Sequence, residues 1–176
     1  MELLFPVLLA IPLFFRQLLS YQTCRKEIEY FADQVVSFAF LKLKAFIGMN
    51  LREYFPFPSE FDEAPAIVIF ASPSCDVCHH ELEKLLALKQ KTGCSIPILC
   101  FVERNDRNYE TFIQEFDNRL SLLPADKETL IELQISSFPS FFIVDSNGVI
   151  RYPGKFIKEI ISVLQDKRKM AKYGIQ

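Results

Sequence analysis

Short apolar runs alternate with amphipathic stretches in the second half of the chain, and this order predicts an α/β domain. Residues 66–71 (AIVIFA) form a β-branched apolar run typical of a buried strand, and Ser72-Pro73-Ser74 ends it. The next stretch, residues 75–91, places leucines among charged residues at helical spacing. This pattern predicts an amphipathic helix directly after the strand.

The same alternation continues to the C-terminus. Further strands are predicted at 96–102, 140–145 and 149–152, with a possible short one at 121–123, and further helices at 109–120, 127–133 and 156–169. Asn147-Gly148 predicts a tight hairpin turn between the last two strands, because these residues adopt positive φ angles. Strands that alternate with helices and end in a hairpin are typical of a sandwich with a mixed central sheet and helices on both faces.

The N-terminal part has a different pattern. Residues 3–15 are uninterrupted apolar residues and few charges follow, so residues 1–23 are predicted to form a membrane anchor helix. A cleaved signal peptide and an ordinary buried helix are the alternatives. Apolar residues at helical spacing then predict an amphipathic helix and linker over 24–54, with the globular domain at 55–176.

Composition narrows the possible functions. The net charge is −2 with acids and bases mixed along the 176 residues, so no positive field would gather nucleic acid. The chain is too long and too apolar for its five cysteines to be a disulfide framework. Cys100, in a predicted strand, is interpreted as core, and Cys94 lies at a predicted turn. Cys24 is interpreted as a spectator, with an intermolecular bridge or lipid modification as alternatives.

Cys75 and Cys78 carry the candidate chemistry. Their spacing is about one helical turn, so both sulfurs meet at the helix N-terminus, the first exposed and the second shielded. Unpaired N–H groups and the helix dipole favour a thiolate there, which is the form that attacks disulfides. We therefore predict Cys75 as nucleophile and Cys78 as resolving thiol. Asp76 opposes the thiolate by its charge and a protonated His79 or His80 favours it, so Asp76 and His79 are the predicted redox-tuning residues.

Other functions would use the same residues. The sequence CDVCH matches the attachment signature of c-type haem, with His79 as an axial ligand and His80 or Met170 as the second. The two cysteines and two histidines could instead bind zinc, but a structural zinc site takes ligands from a second loop. A protein that keeps the fold as an interaction module without activity is a further alternative. The preferred prediction includes no metal and no cofactor.

A second motif supports thiol chemistry. Phe138-Pro139-Ser140 immediately precedes a predicted strand, where proline cannot donate to the ladder and can adopt a cis bond. Together ASPSCDVCHHEL and FPSFFIVDSNGVI resemble the thioredoxin-fold branch containing TlpA, ResA and MauD, over roughly residues 48–169. The S-P-x-C-x-x-C motif is most similar to that of MauD.

This resemblance implies a thioredoxin-like sandwich, preceded by a membrane helix, that acts as a thiol-disulfide oxidoreductase on protein thiols or disulfides. It implies a cis bond before Pro139 and a substrate-binding surface made by the loops on either side of the cysteines, at Phe138, Pro139, Pro73 and Ser74. Pro73-Ser74 replaces a common tryptophan, and Ile69 stands where thioredoxin keeps a buried aspartate. The bulk of Phe138 predicts a narrow, apolar choice of substrate.

The side of the membrane is predicted differently by charge and by resemblance. Arg16, Arg25 and Lys26 follow the apolar run, and excess Lys and Arg normally stay in the cytoplasm. The resembling proteins work outside on exported partners, and large domains translocate largely regardless of charge. We therefore expect a single-pass cell-membrane protein whose redox domain is extracytoplasmic, with protein substrates and a membrane or soluble redox partner.

Overall fold

A mixed five-stranded sheet lies at the centre of the computed structural model, which describes residues 44–92 and 96–175. Its strands are β1 (Ala66–Ala71), β2 (Ile98–Glu103), β3 (Ser121–Ala125), β4 (Ser140–Val144) and β5 (Ile150–Gly154). The order across the sheet is β3-β2-β1-β4-β5. The first three strands are parallel, and β4 and β5 are antiparallel to their neighbours. The mixed sheet predicted from the sequence is confirmed.

Five α-helices lie wholly within the described residues. They are α1 (Asp76–Thr92), α2 (Tyr109–Phe116), α3 (Lys127–Glu132), α4 (Ile157–Leu164) and α5 (Lys167–Lys172). The single final helix predicted over 156–169 is wrong, because Asp166 has extended backbone angles between α4 and α5. Its side chain accepts hydrogen bonds from the N–H groups of Arg168 and Lys169, which begins a new helix.

Two prolines lie within strands, and both strands are sheet edges. Pro124 is in β3 and Pro153 is in β5, which are the outermost strands. Proline has no N–H to give to a ladder, so an edge position tolerates it. This explains why β3 runs to Ala125, beyond the short strand predicted at 121–123.

Alternate residues of each strand face opposite sides of the sheet and build two cores. We call one side the thiol face, since Cys78 and Cys100 lie in its core with side chains of α1, α2 and α4. We call the other side the aromatic face, since its core contains the rings of Phe46, Phe55, Phe61, Phe70, Phe101 and Phe142. The predicted arrangement, with helices on both faces, is also confirmed, because α3 packs on the aromatic face through Leu130.

The segment before β1 covers much of the aromatic face. It contains two short 3-10 helices, Leu51–Glu53 and Ser59–Phe61. Arg52 joins this segment to the β4–β5 hairpin, since its guanidinium donates to the carbonyls of Phe61 (3.0 Å) and Ser146 (3.2 Å) and pairs with Asp62 at 2.7 Å. Residues 46–54, within the predicted linker, therefore pack with the sheet domain.

The hairpin turn differs from the expected one in a detail. Of Asn147 and Gly148, only Gly148 has a positive φ angle, 79°. The Asp145 carboxylate accepts hydrogen bonds from the N–H groups of Asn147 (2.9 Å) and Val149 (3.0 Å). The aspartate side chain therefore shapes the turn, and Asn147 does not need a left-handed conformation.

The predicted membrane anchor, residues 1–23, and residues 24–43 of the predicted amphipathic helix lie outside the described residues. Within 44–92 and 96–175, no helix is both long enough and apolar enough to cross a bilayer.

Candidate active site

Two loops meet at one edge of the sheet and form the candidate site. Strands β1 and β2 are parallel neighbours, so the loops that follow Ala71 and Glu103 emerge on the same side. The first loop leads through residues 72–75 into α1. The second contains Asp106 and Asn108 and leads into α2.

Cys75 and Cys78 lie at the start of α1 as a pair of free thiols. Cys75 is half-buried and Cys78 is fully buried. The N–H of Cys78 donates to the Cys75 sulfur at 3.3 Å, and also to the Cys75 carbonyl oxygen at 2.9 Å. The predicted division into an accessible and a shielded thiol matches this geometry.

The environment of the second thiol is strongly apolar. Burial raises the pKa of Cys78 well above its usual value, and its hydrogen bond with Cys75 adds to the shift. Cys100 is fully buried in β2 on the same face, and burial raises its pKa as well. Cys100 pairs in register with the equally buried Ile69, so the core position expected to lack an aspartate is apolar. The interpretation of Cys100 as core is confirmed.

The cis-proline loop faces Cys75. The Phe138–Pro139 peptide bond is cis, which confirms the expected bond. The carbonyl oxygen of Phe138 accepts a hydrogen bond from the Cys75 thiol at 3.6 Å. Pro139 is buried, whereas the Phe138 side chain is half-buried and contacts both cores. The two motifs found in the sequence therefore meet at one sulfur atom.

Asp106 holds the loop that precedes the first cysteine. Its carboxylate accepts hydrogen bonds from the Ser72 hydroxyl (3.0 Å), the Ser74 hydroxyl (2.6 Å), the Ser74 N–H (2.9 Å) and the Asn108 N–H (2.9 Å). Partial burial alone would raise the pKa of Asp106, but these hydrogen bonds outweigh it and lower the pKa below its usual value. The Cys75 N–H in turn donates to the Ser72 carbonyl at 3.0 Å. A carboxylate thus organises the backbone up to Cys75.

His79 braces the same loop from the helix side. Its Nε2 lies 3.0 Å from the Pro73 carbonyl oxygen and its Nδ1 lies 3.1 Å from a Glu115 carboxylate oxygen. Both neighbours are acceptors, so a ring protonated on both nitrogens donates to both, whereas a neutral ring donates to one. The ring also packs edge-on against Phe112, at 5.0 Å between centroids. His79 therefore links α1, α2 and the loop before Cys75.

Other predicted residues line the rim. Asp76, His80 and Ser74 are exposed, whereas Pro73, within the loop, is buried. Val77, between the two cysteines, is 53% exposed, which places an apolar side chain on the surface beside Cys75. The site is thus an apolar patch with acidic side chains at its edge.

The geometry bears on the metal and haem alternatives. Both ring nitrogens of His79 already contact protein oxygen atoms, so ligation of iron by either nitrogen would displace the contact that this nitrogen makes. No group of three or more His, Cys, Asp or Glu side chains is placed to hold a metal ion anywhere in 44–92 or 96–175. Cys24 and Cys94 lie outside the described residues.

Sequence reasoning missed three residues of this network: Asp106, Asn108 and Glu115. A signal for the first two was present, because Asp-x-Asn follows a buried strand parallel to β1 and must emerge beside the cysteine loop. Glu115 had no such signal, since it is an ordinary charged residue near the C-terminal end of the amphipathic helix α2. Its role depends on how α2 packs against α1.

No protein-family model matches this sequence, and no curated protein sequence matches it. Solved structures do match. The thioredoxin domain of a thiol-disulfide oxidoreductase from Bacteroides vulgatus has a TM-score of 0.52 at 18% identity, over 67% of this chain and 89% of that chain. A thiol-disulfide oxidoreductase from Bacteroides fragilis has a TM-score of 0.51 at 15% identity, over 61% and 84%.

A third structure, a thiol:disulfide interchange protein from a Bacteroides species, has a TM-score of 0.50 at 17% identity, over 68% of this chain and 83% of that chain. At such identities the likeness shows the fold. The chain has a thioredoxin-like α/β fold with a mixed five-stranded sheet, and Cys75 and Cys78 lie close together at the start of its first helix.

Proposed function

We propose that this protein is a thiol-disulfide oxidoreductase that acts on protein thiols or disulfides through Cys75 and Cys78. The observation that carries the proposal is the convergence on the Cys75 sulfur of the Cys78 N–H at 3.3 Å and the Phe138 carbonyl at 3.6 Å. Structures with the same fold include proteins named thiol-disulfide oxidoreductases, which agrees with the proposal.

The reaction follows from the two thiols. The Cys75 thiolate attacks one sulfur of a substrate disulfide, so a mixed disulfide forms and the other substrate sulfur leaves as a thiolate. Cys78 then loses its proton and attacks the Cys75 sulfur, which releases the second substrate thiolate. Two electrons pass to the substrate and a Cys75–Cys78 disulfide forms; the reverse sequence oxidises a substrate dithiol. The reduction potential of the redox partner sets the direction.

The burial of Cys78 supports this order of attack. Because the pKa of Cys78 is raised by burial, this thiol stays protonated while an incoming disulfide meets the accessible Cys75. Cys78 becomes a nucleophile only when the mixed disulfide has formed and its proton has a path to water or to the leaving thiolate. The resolving step is therefore the slower one in this proposal.

The substrate surface has an apolar centre and a polar rim. Val77 and Phe138 offer apolar contact on either side of Cys75, and Pro73, Ser74 and Pro139 shape the loops around it. Asp76 and His79 tune the redox properties of the cysteine pair, and they carry opposite charges when His79 is protonated. An extended apolar peptide that carries the target cysteine fits this surface best.

The direct test is mass mapping of the purified full-length chain after mild oxidation. A Cys75–Cys78 disulfide is expected as the main product. Replacing Cys78 by Ser should then trap mixed disulfides on Cys75, because the resolving thiol is missing. Cys100→Ser is the matched control, and it should resolve its mixed disulfides like the unmodified protein.

The alternative is an interaction protein that keeps the fold without the chemistry. Free Cys75 after oxidation, together with no trapped partner in the Cys78→Ser protein, would favour this alternative. Partner capture that does not require Cys75, tested with Cys75→Ser, would point the same way.

We also propose that residues 1–23 anchor the protein in the cell membrane and that residues 24–45 connect the anchor to the domain. The domain, which includes residues 46–54 as well as 55–176, works outside the cytoplasm on exported partners. The apolar run at 3–15 and the resemblance to the MauD group support this. Labelling Cys75 in intact, mildly reduced cells with a membrane-impermeant thiol reagent tests the side. Labelling only after permeabilisation would place the domain inside.

A further inference from the structure

A groove unrelated to the cysteines runs between α1 and the start of α4. Its cavity volume is about 540 Å³. Apolar side chains from both helices form its floor, namely Ala87, Leu88 and Ile157. Three lysines form its rim, namely Lys84, Lys91 and Lys158. Phe156 also lines the groove and is 44% exposed, one of the few large apolar side chains on the described surface.

Basic residues continue beyond this groove. Lys158 also lines a neighbouring groove, which it shares with Lys169 and Tyr173. Lys155 immediately precedes Phe156, and the Lys158 ammonium lies 5.7 Å from the centroid of the Phe156 ring. We call Lys84, Lys91, Lys155, Lys158 and Lys169, with Phe156 among them, the lysine surface.

The acidic groups on this surface have contacts within the protein. Glu81 is buried, and its carboxylate accepts from the Ile157 N–H at 3.1 Å and from the Lys84 ammonium at 2.7 Å. Burial alone would raise the pKa of Glu81, but these contacts lower it, so the carboxylate is ionised at neutral pH. Glu159 accepts from the Lys155 N–H at 2.8 Å. The five lysines outnumber the two acidic residues that line the grooves, Glu81 and Glu159, so the lysine surface has an excess of positive charge.

This excess does not come from composition, because the whole chain has a net charge of −2. An exposed phenylalanine surrounded by lysines is the pattern of a surface that lies on a bilayer, with the ring at the level of the headgroups. Each Lys near an anionic bilayer contributes about 1 kcal/mol of attraction. An acidic protein would satisfy the lysines, but it would not explain the apolar groove floor and the exposed ring as simply.

We propose that the lysine surface docks on an anionic phospholipid bilayer. Phe156 enters the boundary between headgroups and acyl chains, and the lysines face the lipid phosphates. The docking is independent of thiol chemistry, and it would orient the domain on the membrane.

The test uses the full chain, in which tryptophan is absent, so that one introduced Trp is a unique reporter. Phe156→Trp protein is mixed with vesicles of phosphatidylcholine alone or with added phosphatidylglycerol, and brominated lipids serve as quenchers. We expect a blue-shifted, strongly quenched emission only with the anionic vesicles. The matched control is Ile131→Trp, on α3 at the opposite face of the sheet, where the side chain is 65% exposed. The emission of the Ile131→Trp protein should not be quenched, even if residues 1–23 insert into the bilayer.

Charge reversal completes the test. Adding Lys158→Glu to Phe156→Trp should lower the ratio of docked to undocked protein by at least about fivefold, which is the effect of about 1 kcal/mol per lysine. The urea midpoint of each variant checks that it is folded. Equal quenching of both reporters, quenching that does not need phosphatidylglycerol, or no quenching of the Phe156→Trp reporter would each overturn the proposal.

Discussion

The two faces of the sheet use different side chains. The aromatic face is a nearly continuous set of phenylalanine rings, with Phe70 and Phe101 stacked at 5.2 Å and Phe55 4.3 Å from Phe101. The thiol face is mainly aliphatic and contains two buried thiols, and the loop at its edge is held by hydrogen bonds to an ionised carboxylate. Both faces stabilise the domain by packing, but the thiols and the polar network of the candidate site are concentrated on one of them.

The largest effect is expected from truncation on the aromatic face. Phe101 is fully buried and contacts three other rings, so Phe101→Ala should lower the free energy of unfolding by about 3–5 kcal/mol. Urea denaturation measures this. Phe156→Ala removes the same side chain from an exposed site and should change stability by less than about 0.5 kcal/mol. Similar losses from both variants would contradict the assigned role of the aromatic face.

The second prediction concerns the thiols of the opposite face. Burial raises the pKa values of Cys78 and Cys100. Both thiols therefore stay protonated in the folded protein at pH values at which they ionise in the unfolded chain. The stabilisation is present below the unfolded pKa of about 8.5 and is lost as the pH rises above it. The reduced protein should lose up to about 1.4 kcal/mol of stability per pH unit for each thiol.

Urea unfolding in the presence of a reductant, between about pH 8.5 and pH 9.5, measures that slope. Cys78→Ala and Cys100→Ala should each remove about half of it, if the two thiols act independently. A slope unchanged in both variants would mean that other groups cause the alkaline loss.

Much of this architecture could be predicted, because strands β1 and β4 are apolar runs with clear stops and α1 has a regular leucine pattern. The split of the last helix could not, since the 156–169 pattern is helical throughout and only the Asp166 side chain decides the break. The cysteine pair and the cis-proline were visible as local motifs. Asp106 could be found only from the parallel order of β1 and β2, and Glu115 could not be found, because it reaches the site through the packing of α2.

The third prediction compares two glycines, one of them in the hairpin, to distinguish the cost of backbone strain from the cost of a steric contact. Gly148 and Gly174 both have positive φ angles, 79° and 65°, so alanine at either should cost about 1–2 kcal/mol. An added Cβ at Gly148 would also lie 2.6 Å from the Arg52 Cγ, whereas nothing lies within 4 Å at Gly174. Gly148→Ala should therefore destabilise the protein more than Gly174→Ala in urea unfolding. Equal losses would show that Arg52 moves away without cost.

The smallest change in stability is expected at the carboxylate that holds the active-site loop. Asp106→Asn keeps the shape but weakens the hydrogen bonds from Ser72 and Ser74, at a site near the surface, so the loss should be below about 1 kcal/mol. The reactivity of Cys75 should change more than the stability does. We expect alkylation of Cys75 by iodoacetamide to become about twofold to tenfold faster, because the loop before Cys75 loosens and its thiol becomes more accessible. Asp117→Asn, at the far end of α2, is the matched control and should leave the rate unchanged.

An acid titration followed by NMR tests whether the Asp106 carboxylate is the group that holds the loop. The pKa of Asp106 lies below its usual value, so its hydrogen bonds persist below the ordinary aspartate pKa of about 3.9 and are lost as the pH falls through the lower folded value. The Ser74 amide, which donates to this carboxylate at 2.9 Å, should report the transition in its NMR chemical shift. In Asp106→Asn the same amide should show no such transition. If the Ser74 amide still shows the transition in Asp106→Asn, another acid holds the loop. The contrast between an apolar core and a site held by the Asp106 carboxylate would then be wrong.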